Sequence, residues 1–405
     1  MTSREIAHGW IFGYEPSPRS ALADVASGGS PREVLDELLR PCLHAAACHV
    51  LFSGGRDSSV VLAAATALAR REGLPMPVPV TRVFAQSPES EEARWQTMVC
   101  EQLGLDNRVF IAVDDELDAL GPISQEGLLA HGVVYPPTAF AQRFTFGRLA
   151  GSTVVTGEGG DEVFGAQRIT PLAALVQRKR RPSKALLQAA ASAVAPAPLR
   201  GLAGRRDLGI ERDWLTPAAR REAQRLARAD ALAQPLWWSN GVRHLLMHRG
   251  SRIGMANLSA VAAGAGVDLV HPLLDPAFVE SVARWGGRLG PVGRTDALRR
   301  LFADLLPDEV LSRTTKARFN ASAFNRHAEA FIATWRGVGV DPHMVDADRL
   351  RAAWATRLPA TLPLLQSAWL ASVTTAGAAS DTAAGPASTD PPAAADSVVE
   401  TASAD

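Results

Sequence analysis

The stretch Ser53-Gly54-Gly55-Arg56-Asp57-Ser58-Ser59 stands between two apolar runs, Cys48-His49-Val50-Leu51-Phe52 before it and Val60-Val61-Leu62-Ala63-Ala64-Ala65 after it. The first run reads as a buried strand and the second as the body of a helix. Between them, two glycines let the backbone turn sharply and come close to a ligand. The N–H groups of such a turn, and of the helix start behind it, form an anion site. Ser53, Ser58 and Ser59 add hydroxyl donors, and Asp57 can hold a magnesium ion that bridges phosphate oxygens. A Gly-Gly turn capped by Asp57 would account for the same residues without any ligand, so the surrounding chain has to decide. The spacing matches neither G-x4-G-K-[ST] nor G-x-G-x-x-G.

Working outward, strand-like runs recur at His49–Phe52, Val80–Ala85, Arg108–Val113 and Thr153–Thr156, separated by helical stretches such as Asp57–Glu72 and Glu91–Leu103. Strands alternating with helices predict an α/β fold with a doubly wound, mainly parallel sheet. In such sheets ligands bind beyond the carboxyl ends of the strands, where the first stretch falls. A second glycine-rich turn, Thr156-Gly157-Glu158-Gly159-Gly160-Asp161-Glu162-Val163-Phe164-Gly165, follows the fourth run. Its carboxylates Glu158, Asp161 and Glu162 would repel one another unless a divalent cation neutralises them beside a phosphate cradle.

After Phe164 the strand signals stop, and a largely helical remainder is predicted, with helices over Trp237–Ala263, Pro276–Trp285, Arg294–Leu305 and Ala321–Trp335. Residues 1–40 read as a short arm entering a helix from Pro31 to Leu43. Residues 41–373 read as the main unit, an α/β core to about 170 followed by helices. Residues 374–405, rich in Ala, Thr and Pro with almost no bulky apolar side chain, predict a disordered tail.

Composition narrows the function classes. With 47% hydrophobic and 21% charged residues over 405 positions, the chain can bury a large core. Forty-two basic residues balance forty-two acidic ones, so no overall field draws it to nucleic acid or an anionic membrane. The basic run from Gln177 to Lys184 reads as solvated surface. Three cysteines without a CxxC pair suit a reducing compartment, and neither a signal peptide nor a membrane span is visible, so a cytoplasmic location is expected. His49, His244 and His271 read as satisfied structural histidines.

The two turns together resemble a known pair of motifs. SGGRDSS resembles the SGGxDS pyrophosphate-binding motif of the PP-loop ATP pyrophosphatases. That motif alone would also admit GMP synthetase, NAD synthetase and tRNA-modifying enzymes. TGEGGDEVFG is similar to the second signature of the asparagine synthetase synthetase domain, a superfamily that includes β-lactam synthetase and lasso-peptide macrolactam cyclases. His271-Pro272-Leu273-Leu274-Asp275 is similar to the family's R-x-P-F-L-D segment, and Leu298-Arg299 to Leu306-Pro307 to its LR…LP helix. Arg313-Thr314-Thr315-Lys316-Ala317-Arg318-Phe319 resembles the stretch that carries its catalytic lysine.

The resemblance implies an adenine nucleotide alpha hydrolase-like fold using ATP and magnesium. It implies that Ser53, Gly54, Gly55, Asp57, Ser58 and Ser59 hold the β- and γ-phosphates, and that Gly157 and Gly160 help bind the nucleotide. Backbone from Val83 to Gln86 would receive adenine, while Asp57 and Asp161 would coordinate the metal. Lys316 would reach the α-phosphate and leaving pyrophosphate, and Glu158 would serve the amide-forming half. Asp275 would either touch substrate or cap a helix. The implied reaction is attack of a carboxylate on the α-phosphorus of ATP, followed by displacement of AMP by an amine.

Glutamine-dependent relatives begin with a glutaminase domain whose nucleophile is the cysteine after the initiator methionine. Here that residue is Thr2, and about forty residues precede the first strand. The expected amine is therefore free ammonia, ammonia from a separate glutaminase, or the amine of another substrate such as a precursor peptide. Val270 replaces the arginine of R-x-P-F-L-D, and two residues rather than one separate Arg313 from Lys316. Both departures point to another acceptor, a small-molecule or peptide carboxylate. The remaining alternative is a non-catalytic nucleotide-binding subunit, which the intact Asp57, Glu158, Asp161 and Lys316 argue against.

Overall fold

The computed structural model describes residues 1–15, 28–84, 92–179, 181–197, 199–200, 212–315 and 320–383. Its strands are β1 (Cys48–Leu51), β2 (Val78–Phe84), β3 (Val109–Val113), β4 (Thr153–Val155) and β5 (Asp268–Val270). They form one sheet in the order β3-β2-β1-β4-β5, with every neighbouring pair parallel. Parallel pairing requires a crossover between strands, and helices Arg56–Glu72 and Ala93–Gln102 supply the first two. From β1 the chain winds outward through β2 and β3, then returns to lay β4 on the other side of β1. Between β1 and β4 the winding direction reverses, and the carboxyl edge opens a crevice there.

The sheet is covered on both faces, so its strands read as continuous apolar runs. Val154 and Val155 are both fully buried but pack into different clusters, as the alternation of successive side chains across a sheet requires. One face carries helices Pro31–His44, Arg56–Glu72, Pro276–Gly286 and Arg294–Phe302. In Arg56–Glu72 every residue from Val60 to Ala65 is fully buried, so this helix lies in the middle of the core. The other face carries Phe144, Phe146, Leu149 and Ala262.

A third cluster gathers Trp214, Trp354 and Leu365 with Ala7 and Phe12 from the start of the chain. There Trp214 Nε1 donates to the Ala7 carbonyl at 2.9 Å and Arg212 Nε to the His8 carbonyl at 2.6 Å. The N-terminal arm is thus tied into the helical part.

The predicted α/β class with a parallel sheet and a helical C-terminal part is what the chain adopts. One strand escapes the sequence reading: β5 lies far beyond Phe164, and its three residues are too short and too exposed to give an alternating pattern. The helix expected over Trp237–Ala263 is two, Trp238–Leu245 and Arg249–Gly264, because His248 turns its imidazole to accept the Ser251 N–H as a cap. Likewise Asn325 caps Arg326–Thr334 and separates it from the short turn Asn320–Ala323. The last helix, Leu362–Ala383, runs past Thr374, where bulky apolar side chains give out, and residues 384–405 lie outside the described residues. No helix of the described residues is long and apolar enough to cross a membrane.

Candidate active site

The first glycine-rich turn leaves β1 and enters helix Arg56–Glu72 through Gly55, which caps it without a side-chain hydrogen bond. Gly54 holds φ at +81°, the left-handed region that glycine adopts without strain. Hydroxyls fix the turn from within. Ser53 Oγ accepts the Gly55 N–H at 3.2 Å and lies 3.2 Å from Ser58 Oγ, which in turn donates to the Gly55 carbonyl at 3.1 Å. Ser59 Oγ is buried and makes no hydrogen bond among the described residues. The helix start, with its unsatisfied N–H groups and positive dipole end, faces the crevice beyond the strand.

The second turn leaves β4 and lies directly against the first. A Cβ on Gly157 would stand 2.6 Å from Ser58 N and 2.8 Å from Asp57 C, and one on Gly160 would stand 2.2 Å from Asp57 Cγ. Glycine at both positions lets the turns touch. The sequence reading gave both to nucleotide binding; in the fold the space beside each is filled by the first turn.

Asp57 and Asp161 meet on one cation. Arg294, the first residue of helix Arg294–Phe302, forms an ion pair with Asp57 Oδ2 through one terminal nitrogen and with Asp161 Oδ1 through the other. Asp57 Oδ1 is buried with no hydrogen-bond partner, and burial pushes this carboxyl above its ordinary value against the opposing pull of Arg294. Arg56 lies close by, donating to Thr295 Oγ1 at 3.2 Å, and burial followed by repulsion from Arg294 lowers its guanidinium. An orphaned carboxylate oxygen and a second carboxylate at the same point fit magnesium, which takes one or two carboxylates plus substrate phosphates. The three acids of the second turn do not converge: among the described residues no group of three metal-type ligands is gathered. Asp161 turns to Arg294, while Glu158 acts on Arg82 of β2.

A further anchor comes from the segment after helix Asp308–Leu311. Arg313 donates to the Gly54 carbonyl at 3.0 Å, pairs with Glu92, and lies over the Trp95 ring at 4.6 Å from its centroid. Gln96 Nε2 donates to the Ser53 carbonyl at 3.2 Å. The first turn is therefore clamped by helix Ala93–Gln102 on one side and Arg313 on the other.

A family model, asparagine synthase, matches residues 32–370, which takes in both turns, Arg294 and Arg313. The chain belongs to the asparagine synthase family. That family consists of ATP-dependent amide synthetases, ligases that form carbon–nitrogen bonds. A search of curated proteins found no match to the chain.

Other positions singled out in the sequence distribute as follows in this asparagine synthase fold. Val83 on β2 is 46% exposed, an apolar side chain left open beside the carboxyl edge. Ala85 and Gln86, also assigned to adenine, lie outside the described residues, as does Lys316. Asp275 is a helix cap, accepting the Ala277 N–H at 2.7 Å. Val270 ends β5 and accepts the Thr156 N–H at 3.0 Å through its carbonyl.

The histidines are not fully satisfied. His49 Nδ1, His244 Nε2 and His271 Nε2 are buried without a hydrogen-bond partner among the described residues. His271 Nδ1 lies 2.6 Å from Thr156 Oγ1, which also accepts the Glu158 N–H at 3.2 Å. Burial pushes the His271 imidazole down to about 4, so it is neutral at physiological pH.

Sequence reasoning missed Arg294, Glu92 and Thr156. Arg294 carried one local signal: a cation at a helix N-terminus opposes the macrodipole and needs a reason to be there.

Proposed function

We propose that this chain is an AMP- and pyrophosphate-forming amide synthetase that adenylates a carboxylate and then joins it to ammonia or an amine. What carries the reading is the meeting of two glycine-rich turns at the β1–β4 reversal point, with Asp57 and Asp161 turned toward one cation position.

In the first half, a substrate carboxylate oxygen attacks the α-phosphorus of ATP and the bond to the β-phosphate breaks. The departing pyrophosphate is received by the hydroxyls of Ser53, Ser58 and Ser59 and by the N–H groups at the start of helix Arg56–Glu72. Asp57 and Asp161 would hold magnesium, which when bound offsets the phosphate charge. By family resemblance Lys316 meets the α-phosphate, where negative charge shifts most. In the second half, the amine nitrogen attacks the acyl carbon and the bond to AMP breaks. Glu158, whose N–H is fixed on Thr156, takes the amine proton. The exposed Val83 supplies an apolar seat for adenine.

Val270 favours a second form of the same chemistry. Val270 ends β5 at the position where the family's R-x-P-F-L-D segment, by resemblance, has its arginine, so this side chain brings no cation to the acceptor. A peptide substrate closed into a macrolactam suits this better than free aspartate.

The test is pyrophosphate release from ATP and magnesium across a panel of amino-acid and peptide carboxylates. Asp57→Ala and Lys316→Ala should both abolish it. Release that survives both substitutions would remove the reading, and nucleotide binding without turnover across the panel would favour a non-catalytic subunit.

A further inference from the structure

We propose that Arg294 is a built-in counter-cation that competes with the divalent metal for Asp57 and Asp161, so that metal enters only together with nucleotide phosphates. The inference rests on the amide-synthetase reading, since it takes ATP with magnesium as the ligand.

The guanidinium spans both carboxylates through its two terminal nitrogens. It holds Asp57 Oδ2 and Asp161 Oδ1, so a metal that takes either of these oxygens must displace it. Yet Arg294 is poorly settled there. Its Nε is buried with no hydrogen-bond partner. It occupies the first position of helix Arg294–Phe302, whose positive dipole end favours an anion. Arg56, the variable residue of SGGRDSS, adds like-charge repulsion.

A metal ion alone would have to displace Arg294 from both carboxylates while the Arg56 cation stands close by. Metal arriving with a polyphosphate brings a further anion for Arg294 and Arg56, so the guanidinium can leave the carboxylates for phosphate oxygens. Free metal therefore binds weakly and metal with nucleotide binds strongly. That is a coupling between two ligands carried by one side chain.

Manganese binding to the full chain, followed by electron paramagnetic resonance with and without the α,β-methylene analogue of ATP, tests this. In the wild type, manganese should bind weakly alone and tightly with the analogue. Arg294→Met should bind manganese alone about tenfold more tightly or better, because removing a cation near the site removes its repulsion. Arg294→Lys, which keeps the charge but cannot fork across both carboxylates, should fall between. Thermal unfolding gives a second readout: Arg294→Met should melt below the wild type, and magnesium without nucleotide should restore it. Variants that bind free manganese no better than the wild type, or that magnesium alone does not stabilise, overturn the inference. If the wild type fails to bind manganese with the analogue, the amide-synthetase reading falls instead, a separate outcome.

Discussion

Arg313 donates to the carbonyl of Gly54 at 3.0 Å, joining positions 259 residues apart in the chain. The contact ties the segment that leads to Lys316 onto the turn that would hold pyrophosphate. The ion-pair partner of Arg313, Glu92, is as buried as Arg313 itself, with side chains 6% and 5% exposed.

Removing one member of a buried pair leaves the other charged and unpaired. Arg313→Met should therefore cost about 3–5 kcal/mol of stability in urea unfolding. Arg313→Lys should recover only part of this, because lysine cannot serve Glu92 and Gly54 with one planar fork. An unchanged unfolding midpoint in Arg313→Met would contradict the clamp.

Gly157 is where the two turns touch. Its Cβ would meet Ser58 N at 2.6 Å and Asp57 C at 2.8 Å, and backbone cannot swing aside as a side-chain tip can. Gly157→Ala should lower stability by about 1–3 kcal/mol and weaken ATP binding. Gly147→Ala, with nothing within 4 Å of the added carbon, is the matched control and should be neutral or slightly stabilising. Equal behaviour of the two variants would mean that the turns do not meet as described.

The neutral His271 gives a pH signature. Its folded value, about 4, lies below the ordinary 6.5, so between these values the unfolded chain binds a proton that the fold does not. Stability should thus be unaffected by this group above pH 6.5, fall as pH drops from 6.5 to about 4, and level off below that. The full contribution is about 3 kcal/mol. His271→Asn should flatten that part of the stability profile; an unchanged slope would place the titrating group elsewhere.

Asp57→Asn keeps the size of the side chain and removes its charge. Pyrophosphate formation should fall by about a hundredfold or more while circular dichroism stays that of the wild type, because the lost charge acts on the reaction rather than on the core. Full activity in this variant would take Asp57 out of the chemistry.

What the sequence made legible were the features with strong local pattern. The run before Ser53 and the six apolar residues from Val60 to Ala65 announce a strand and a buried helix, and the glycines and acids between Gly157 and Asp161 announce a second turn at a strand end. What stayed hidden depends on distance. Arg294 reaches Asp161 across 133 positions and Asp57 across 237, and no local spacing encodes such a meeting. Glu92 and Arg313 pair across 221 positions, which no local pattern around either residue announces. The strand β5 is defined by its pairing with β4 more than by its own three residues. Gly157 and Gly160 were legible as glycines with a purpose, but their contact with Asp57 and Ser58 needed the fold.

The central claim is that a carboxylate is activated as an acyl-adenylate, and an oxygen label tests it most directly. A substrate carboxylate enriched in oxygen-18, turned over with ATP, magnesium and ammonia or the partner amine, should deliver one labelled oxygen to AMP and none to pyrophosphate. Label in orthophosphate, formed together with ADP, would mean attack at the γ-phosphorus and would contradict the account.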